Sequence, residues 1–312
     1  MVRVKTVMVT GSTGFIGAAL TKRLLRDRYH VVEATRSNVG NIDGHTSWDG
    51  SFSGVDVECV IHLAARVHAI QELSADPLRA YRDTNVAGTK RLAEYAAASG
   101  VKRFIYLSSI KVNGETTGAE PFTATDRPSP NDPYGQSKAE AEAELRAISI
   151  RTGLDVVIIR PPLVYGPGVK ANFLSMMRWL NRGTPLPLGA IRNQRSLVAL
   201  DNLVDLIVTC LRHPAAVNQI LLVSDGEDLS TPALLRRTAA AMGKHARLVP
   251  IPTPILRTVA GWLGKRDLAQ RLCGSLQVDI RKTRDLLDWS PPVSVDEALS
   301  QTARHFEEHR RD

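Results

Sequence analysis

Glycines at positions 11, 14 and 17, set directly behind the apolar run Val7-Met8-Val9-Thr10, constrain this chain more than any other feature. Residues 4–10 read as a buried strand and residues 15–28 carry apolar side chains at helical intervals, so the local order is strand, glycine turn, helix. Each glycine removes a different obstacle to that path. One allows the sharp turn, one lets backbone amides approach a pyrophosphate, and Gly17 lets the helix press against the sheet. The spacing departs from the usual G-x-G-x-x-G fingerprint, so its place behind an N-terminal strand carries the argument.

The same alternation continues. Apolar runs at 31–35, 57–63, 104–108 and 156–160 predict parallel strands, and residues 77–99 and 134–152 predict the helices between them. This is the pattern of an α/β fold with a Rossmann-type doubly wound parallel sheet, expected over residues 1–165. After Pro161-Pro162, prolines and glycines separate short helical stretches, which predicts a smaller C-terminal substrate-binding lobe over 166–312. A strand and helix at 196–211 and a strand at 219–223 are expected to return to the main sheet. A chain of 312 residues with 43% apolar content can bury cores of this size.

Charge and cysteine usage narrow the class. The net charge of +8 suggests an anionic partner, but the basic residues are scattered and lack interleaved aromatics, which argues against nucleic acid. Phosphate-bearing small molecules account for the sign. Cys59, Cys210 and Cys273 have neither metal-ligand nor disulfide-framework spacing, so no metal is expected and a reducing, cytoplasmic setting is. A strand at the very start leaves no room for a cleavable signal, and no apolar run reaches membrane-spanning length. Residues 251–264, followed by Lys265-Arg266, have apolar side chains at helical intervals. They read as a lid or packing helix, with peripheral membrane contact as the alternative and no stable insertion.

The chemistry is written in Tyr134-x-x-x-Lys138, within Pro133-Tyr134-Gly135-Gln136-Ser137-Lys138. Four residues are just over one helical turn, so both side chains share a face. A nearby ammonium favours phenolate, lowering a tyrosine pKa that is ordinarily about 10 toward the working range. Ser109, at the end of the strand before, can hydrogen-bond the oxygen of a carbinol or ketone. With a nicotinamide these three make a hydride-transfer site. The turn after the second strand bears on which nicotinamide. An NAD enzyme carries Asp or Glu there for the ribose hydroxyls, whereas this chain has Thr35-Arg36, and Arg36 can pair with a 2′-phosphate. NADP is therefore expected, with NAD possible because Glu33 could substitute for the missing acid; Asp49 is a further candidate, reaching the adenine.

Taken together, these residues resemble the extended short-chain dehydrogenase/reductases that act on nucleotide sugars, among them UDP-glucose 4-epimerases and sugar 4-ketoreductases. The matching pieces span the chain: Thr10 to Gly17, Ile61-His62-Leu63-Ala64-Ala65, Asn85-Val86-Ala87-Gly88-Thr89, Leu107 to Gly114, Pro133 to Lys138, Arg160 to Gly168, and Leu287-Asp288-Trp289-Ser290-Pro291. The resemblance implies that Ser109, Tyr134 and Lys138 are catalytic, Tyr134 as general acid or base and Lys138 as its modulator and ribose ligand. It places the cofactor against Gly11, Thr13, Gly14, Phe15, Ile16, Gly17, Leu63, Ala64, Ala65, Arg160 and Pro161. It assigns Asn172 and Arg195 to the substrate diphosphate, makes Asn85 a support for the central helix, and suggests a homodimer through the two long helices of the main lobe.

Two departures separate this chain from a plain UDP-galactose epimerase: Asn113 stands where a tyrosine is common, and Arg195-Ser196-Leu197 replaces Arg-Asp-Tyr. The segment Ser108 to Glu115 and residues 160–173 look most similar to bacterial reductases of UDP-4-keto-6-deoxy-N-acetylglucosamine, which serve surface-polysaccharide (O-antigen) synthesis. The alternatives are a UDP-hexose 4-epimerase holding NAD tightly and a non-catalytic nucleotide-sensing regulator. A dehydratase is disfavoured, because Ile110-Lys111 stand after Ser109 in place of an acidic pair.

Overall fold

Strand β1 (Thr6–Thr10) is the axis from which the main sheet grows in both directions. In this computed structural model, which describes residues 5–52, 54–67, 76–264 and 266–309, β1 pairs on one side with β2 (His30–Ala34) and on the other with β3 (Val57–His62). The sheet continues through β4 (Arg103–Leu107) and β5 (Asp155–Arg160) to β8 (Ile220–Leu222), in the order β2-β1-β3-β4-β5-β8, every pair parallel. The predicted Rossmann-type sheet is therefore present. Its chain order reverses beside β1, where α/β sheets of this kind open a crevice at the carboxyl ends of their strands.

The helices are α1 (Phe15–Arg26), α2 (Arg36–Val39), α3 (Asp49–Phe52), α4 (Pro77–Tyr81), α5 (Thr89–Ala98), α6 (Pro133–Thr152), α7 (Ala171–Asn181), α8 (Leu200–Arg212), α9 (Thr231–Ala241), α10 (Thr253–Trp262), α11 (Arg266–Cys273), α12 (Arg281–Leu287) and α13 (Val295–Glu308). Side-chain alternation divides the strands between two cores. Val7, Val9, Ile61, Ile105, Val157 and Ile159 pack toward α1 and α8. Met8, Val60, Phe104, Tyr106, Val156 and Ile158 pack toward α5 and α6. None of the described helices is long and apolar enough to cross a membrane.

Three elements depart from the sequence reading. The strand near 196, expected to join the main sheet, forms β7 (Arg195–Ala199) in a second sheet, between β6 (Leu163–Tyr165) and β9 (Asp228–Leu229). This sheet covers a third core, built with α7, α9 and α13 around Phe173, Leu235 and Leu299. Only α8 and β8 of the returning pieces reach the main sheet. The helix predicted over 77–99 is split by a π-helical stretch, Arg82–Gly88, that turns Asn85 inward. Strand β2 stops before Thr35 because that residue caps α2, its side chain and that of Asn38 forming a reciprocal capping box.

Candidate active site

The carboxyl ends of β1 and β3 meet across a contact that only glycine permits. Gly11 has φ +71°, and a Cβ there would lie 2.8 Å from the Ala64 amide nitrogen. At Gly17 a Cβ would fall 2.0 Å from the Gly11 carbonyl, so the first turn of α1 sits directly on the loop. Helix α1 has no side-chain cap at Gly14, which leaves its opening amides, Phe15 and Ile16 among them, pointing out of the turn. Ser12 Oγ is buried beside them without a hydrogen-bond partner, while Thr13 is exposed at the rim. Uncapped amides, the positive end of a helix and an unsatisfied buried hydroxyl together suit a dinucleotide pyrophosphate.

A buried histidine holds this edge in place. His62 Nδ1 lies 2.6 Å from Thr10 Oγ1, and its Nε2 lies 2.9 Å from Thr89 Oγ1 at the start of α5. The Ala64 amide donates to the same Thr10 hydroxyl at 3.2 Å. Burial, with Lys138 nearby, pulls the His62 pKa down to about 3, so the imidazole is a neutral tie between β1, β3 and α5. Nothing in the run Ile61-His62-Leu63-Ala64-Ala65 announces this role, since both partners of His62 lie on other elements.

Helix α6 supplies the tyrosine and lysine. Asp132 caps it by accepting from the Gly135 amide at 2.6 Å and also pairs with Lys111, which bonds Glu115 at 3.1 Å. The start of α6 is thereby tied to the loop carrying Ser109. Tyr134 is half-buried, with the Ser109 hydroxyl beside it. Burial first, then Asp132 and Tyr81, holds its phenol well above the usual range, with Ser109 drawing it partly back. The lysine therefore does not dominate its partner as the sequence reading expected. Lys138 is 2% exposed, donates to the Leu107 carbonyl at 2.8 Å and lies 4.4 Å from the Tyr106 ring centre. Burial lowers its pKa to about 7, against the pull of Glu142.

Behind the lysine lies an ionic network the sequence reading missed. Glu142, one turn beyond Lys138, is fully buried and accepts from Arg160 Nε at 2.8 Å and Nη2 at 2.5 Å, and from Ser108 Oγ at 2.6 Å. Arg160 Nη1 donates to Asn113 Oδ1 at 2.9 Å, and the Asn113 amide donates to the Thr123 carbonyl at 2.8 Å. Arg160, expected at the cofactor, is instead a 1%-exposed structural cation with all three guanidinium nitrogens engaged within the protein. Asn113, noted as a departure, is the acceptor that completes it. The neighbouring Pro161 is buried and its carbonyl receives the Ile110 amide, fixing the loop after Ser109. The available signal was spacing: residues 134, 138 and 142 make one stripe on α6.

Asn85 acts as a clamp. Its Oδ1 accepts from the Arg66 amide at 2.8 Å, and its Nδ2 donates to the Arg66 carbonyl and to Ser137 Oγ, which in turn donates to the Tyr134 carbonyl. The expected supporting role is what these bonds perform, and they keep the Leu63, Ala64 and Ala65 backbone in register with α6. Among the outer residues, Arg36 is exposed at the start of α2 and makes no ion pair among the described residues. Asp49 is exposed and accepts from Ser47. Asn172 is exposed in the first turn of α7. Arg195, half-buried on β7, donates to the Arg271 and Gly274 carbonyls, and burial lowers its pKa. Gly274 also lines a cleft of about 650 Å³ with Thr117, Arg257, Gln270 and Ser275.

Comparison with known proteins bears on this geometry. The model of a family described as the NAD dependent epimerase/dehydratase family matches residues 7–223. A UDP-glucose 4-epimerase of Vibrio cholerae is 47% identical, over 97% of this chain and 95% of that protein. An N-acetyl-alpha-D-glucosaminyl-diphospho-ditrans,octacis-undecaprenol 4-epimerase of Escherichia coli O157:H7 is 24% identical over 96% and 94%. Among solved structures, a Bacillus cereus UDP-glucuronic acid 4-epimerase in complex with NAD aligns with TM-score 0.78 at 21% identity, covering 97% of this chain and 99% of that one. A Thermotoga maritima UDP-glucose 4-epimerase with UDP-glucose gives 0.77 at 23%, with the same coverage. At those identities the solved structures speak for the fold, which is the one described above. The family match and the Vibrio relative settle the rest: this chain belongs to the NAD-dependent epimerase/dehydratase family of extended short-chain dehydrogenase/reductases and is an enzyme of the nucleotide-sugar type.

Proposed function

We propose that the enzyme reduces the C4 ketone of a UDP-4-keto-6-deoxy-N-acetylhexosamine, with NADPH as reductant, for surface-polysaccharide synthesis in the cytoplasm. The observation that carries this reading is Arg36, exposed and without an ion pair among the described residues, at the turn where an NAD enzyme has an acid. When bound, the nicotinamide supplies the hydride. The chain supplies the rest. The loop amides from Gly11 to Gly17 hold the pyrophosphate, while Leu63, Ala64 and Ala65 leave room beside it. Tyr134, kept as a phenol by its burial, holds the proton that the developing alkoxide takes, and Ser109 hydrogen-bonds that oxygen. Lys138 would bond the nicotinamide ribose, and Asn172 and Arg195 would receive the diphosphate. The working unit in this reading is a homodimer through α5 and α6, to be checked by sedimentation velocity.

The second reading, a UDP-hexose 4-epimerase, is favoured by the 47% identity to the Vibrio cholerae UDP-glucose 4-epimerase. An epimerase returns the hydride it takes and gains by retaining oxidised NAD; a reductase consumes its cofactor. Denaturing the purified protein, identifying any nucleotide released, and following NADPH oxidation with a panel of UDP-4-keto sugars separates the two. Tightly held NAD, interconversion of UDP-hexoses and no net oxidation would replace the reductase with the epimerase.

A further inference from the structure

Large apolar side chains that face solvent are unevenly distributed. Of the eleven exposed among the described residues, five fall between positions 255 and 268: Ile255, Val259, Trp262, Leu263 and Leu268. The rest are dispersed along the chain. Ile255, Val259 and Trp262 follow at intervals of four and three, so they form one outward stripe on α10, a helix with no fully buried residue. Trp262 is 84% exposed and Leu263 65%. Helix α11, packed against α10, adds Leu268. A helix whose outward face is apolar and whose inward face is only half-buried inverts the usual arrangement, and a contiguous patch of this kind marks a contact surface.

Charge identifies the partner. Between positions 244 and 273 the sequence has Lys244, Arg247, Arg257, Lys265, Arg266 and Arg271, with Asp267 the only acid. Arg247, Arg257 and Arg271 are exposed, and none is in an ion pair among the described residues. A second copy of the same face would bring like charges together, which opposes self-association. On α11 Arg271 stands three positions from Leu268 and so shares its side, where an anionic lipid surface meets it with opposite charge and the apolar stripe with its acyl boundary. At ten residues α10 is far too short to span a bilayer, so the helix would lie in the interface plane. Arg257 and Gln270, each two positions from a member of the stripe and so turned away from it, line the cleft of about 650 Å³, which places the two helices between that cleft and a surface seated here.

We propose that the α10–α11 face, with Ile255, Val259, Trp262, Leu263 and Leu268 as its apolar stripe, docks the enzyme on a bilayer carrying anionic headgroups. The inference stands whichever sugar is turned over. It is tested by cosedimentation of the full chain with phosphatidylcholine vesicles, with and without phosphatidylglycerol, at low and high salt. Binding should rise at least about tenfold with the anionic lipid and fall with salt over the range where screening sets in. The triple substitution Ile255→Ser, Val259→Ser, Trp262→Ser should lower the partition coefficient at least about tenfold, since each side chain contributes apolar area. Its melting temperature should not change, because all three are exposed. A control carrying Leu25→Ser and Ile150→Ser, exposed elsewhere, should bind as the parent does. Failure to bind anionic vesicles, or equal binding by the parent and the triple variant, overturns the proposal. A variant that turns a dimer into a monomer without altering vesicle binding assigns the face to a second copy. One that raises KM with vesicle binding intact makes it a lid over the cleft.

Discussion

Glu142→Ala should be among the most damaging single changes in the main lobe, though it touches neither substrate nor cofactor. Glu142 is 0% exposed and Arg160 1%, and the two share a two-pronged contact at 2.8 and 2.5 Å. Removing the carboxylate leaves a guanidinium buried with one remaining side-chain partner, Asn113, and strips Ser108 of its acceptor. Breaking a buried pair in this way costs about 3–5 kcal/mol. For a chain of 312 residues the unfolding entropy at the midpoint is about 0.65 kcal/mol/K, so the melting temperature should fall by about 5–8 °C. The double variant Glu142→Leu/Arg160→Met removes both charges and should cost only about 1–2 kcal/mol, from the stranded Ser108 and Asn113 groups. Glu142 also raises the Lys138 pKa, so its loss should move deprotonation of that lysine below pH 7. Cofactor affinity against pH would then decline at lower pH than in the parent. Calorimetry on the parent, the single variants Glu142→Leu and Arg160→Met and the double completes the cycle, with Glu142→Ala measured beside them. If Glu142→Ala costs under about 1 kcal/mol, or the double variant costs the sum of the singles, the pair is not the buried, mutually dependent unit described.

Other expectations follow from the same geometry. Tyr134→Phe should keep the fold and cofactor binding and reduce kcat by about 10²–10⁴, the size of a lost proton donor; full activity in steady-state assays would remove Tyr134 from the chemistry. Lys138→Met should abolish turnover and raise stability most at acidic pH. Burial lowers the folded pKa to about 7 from the usual 10.5, so the penalty of holding the charge is complete below pH 7 and fades as pH rises toward 10.5; melting curves at pH 6 and pH 10 should show the gap closing. Gly17→Ala places a Cβ 2.0 Å from the Gly11 carbonyl and should cost about 1–3 kcal/mol while weakening dinucleotide binding, read by equilibrium dialysis. Arg36→Asp should reverse cofactor preference toward NAD, losing about tenfold or more in NADPH affinity if the arginine meets a 2′-phosphate.

What could be read from residues alone was whatever depends on periodicity and short spacing. The strands of the main sheet were placed to within a residue or two because their alternating side chains are committed to two opposite cores. The Tyr134–Lys138 face was legible because one helical turn is a local fact. Helix α6 also shows where such reading stops: Glu140, Glu142 and Glu144 look alike in the sequence, yet Glu140 pairs with Arg82 and Glu144 with Lys90 at the surface, while Glu142 is sealed inside with Arg160. Only the four-residue step from Tyr134 and Lys138 sets Glu142 apart, and that Arg160 of β5 meets it there depends on how the helix is rotated against the sheet. The same holds for Arg160, whose partner lies eighteen positions away on another element, and for β7, whose apolar residues suit either sheet. The π-helical stretch around Asn85 is set by contacts with Arg66 and Ser137, and no run of residues announces it.

The position of β8 bears on how the protein emerges from the ribosome. Strand β5 ends at Arg160, but its outer edge is not paired until Ile220–Leu222 has been made. With about sixty residues in between and synthesis at about 5–20 residues per second, the edge at Ile158 and Ile159 stays open and apolar for about 3–12 s. Inclusion-body formation should accordingly track translation speed across 161–220, and pausing there should expose the chain to aggregation. Truncation at the end of the predicted first lobe would make that transient edge permanent.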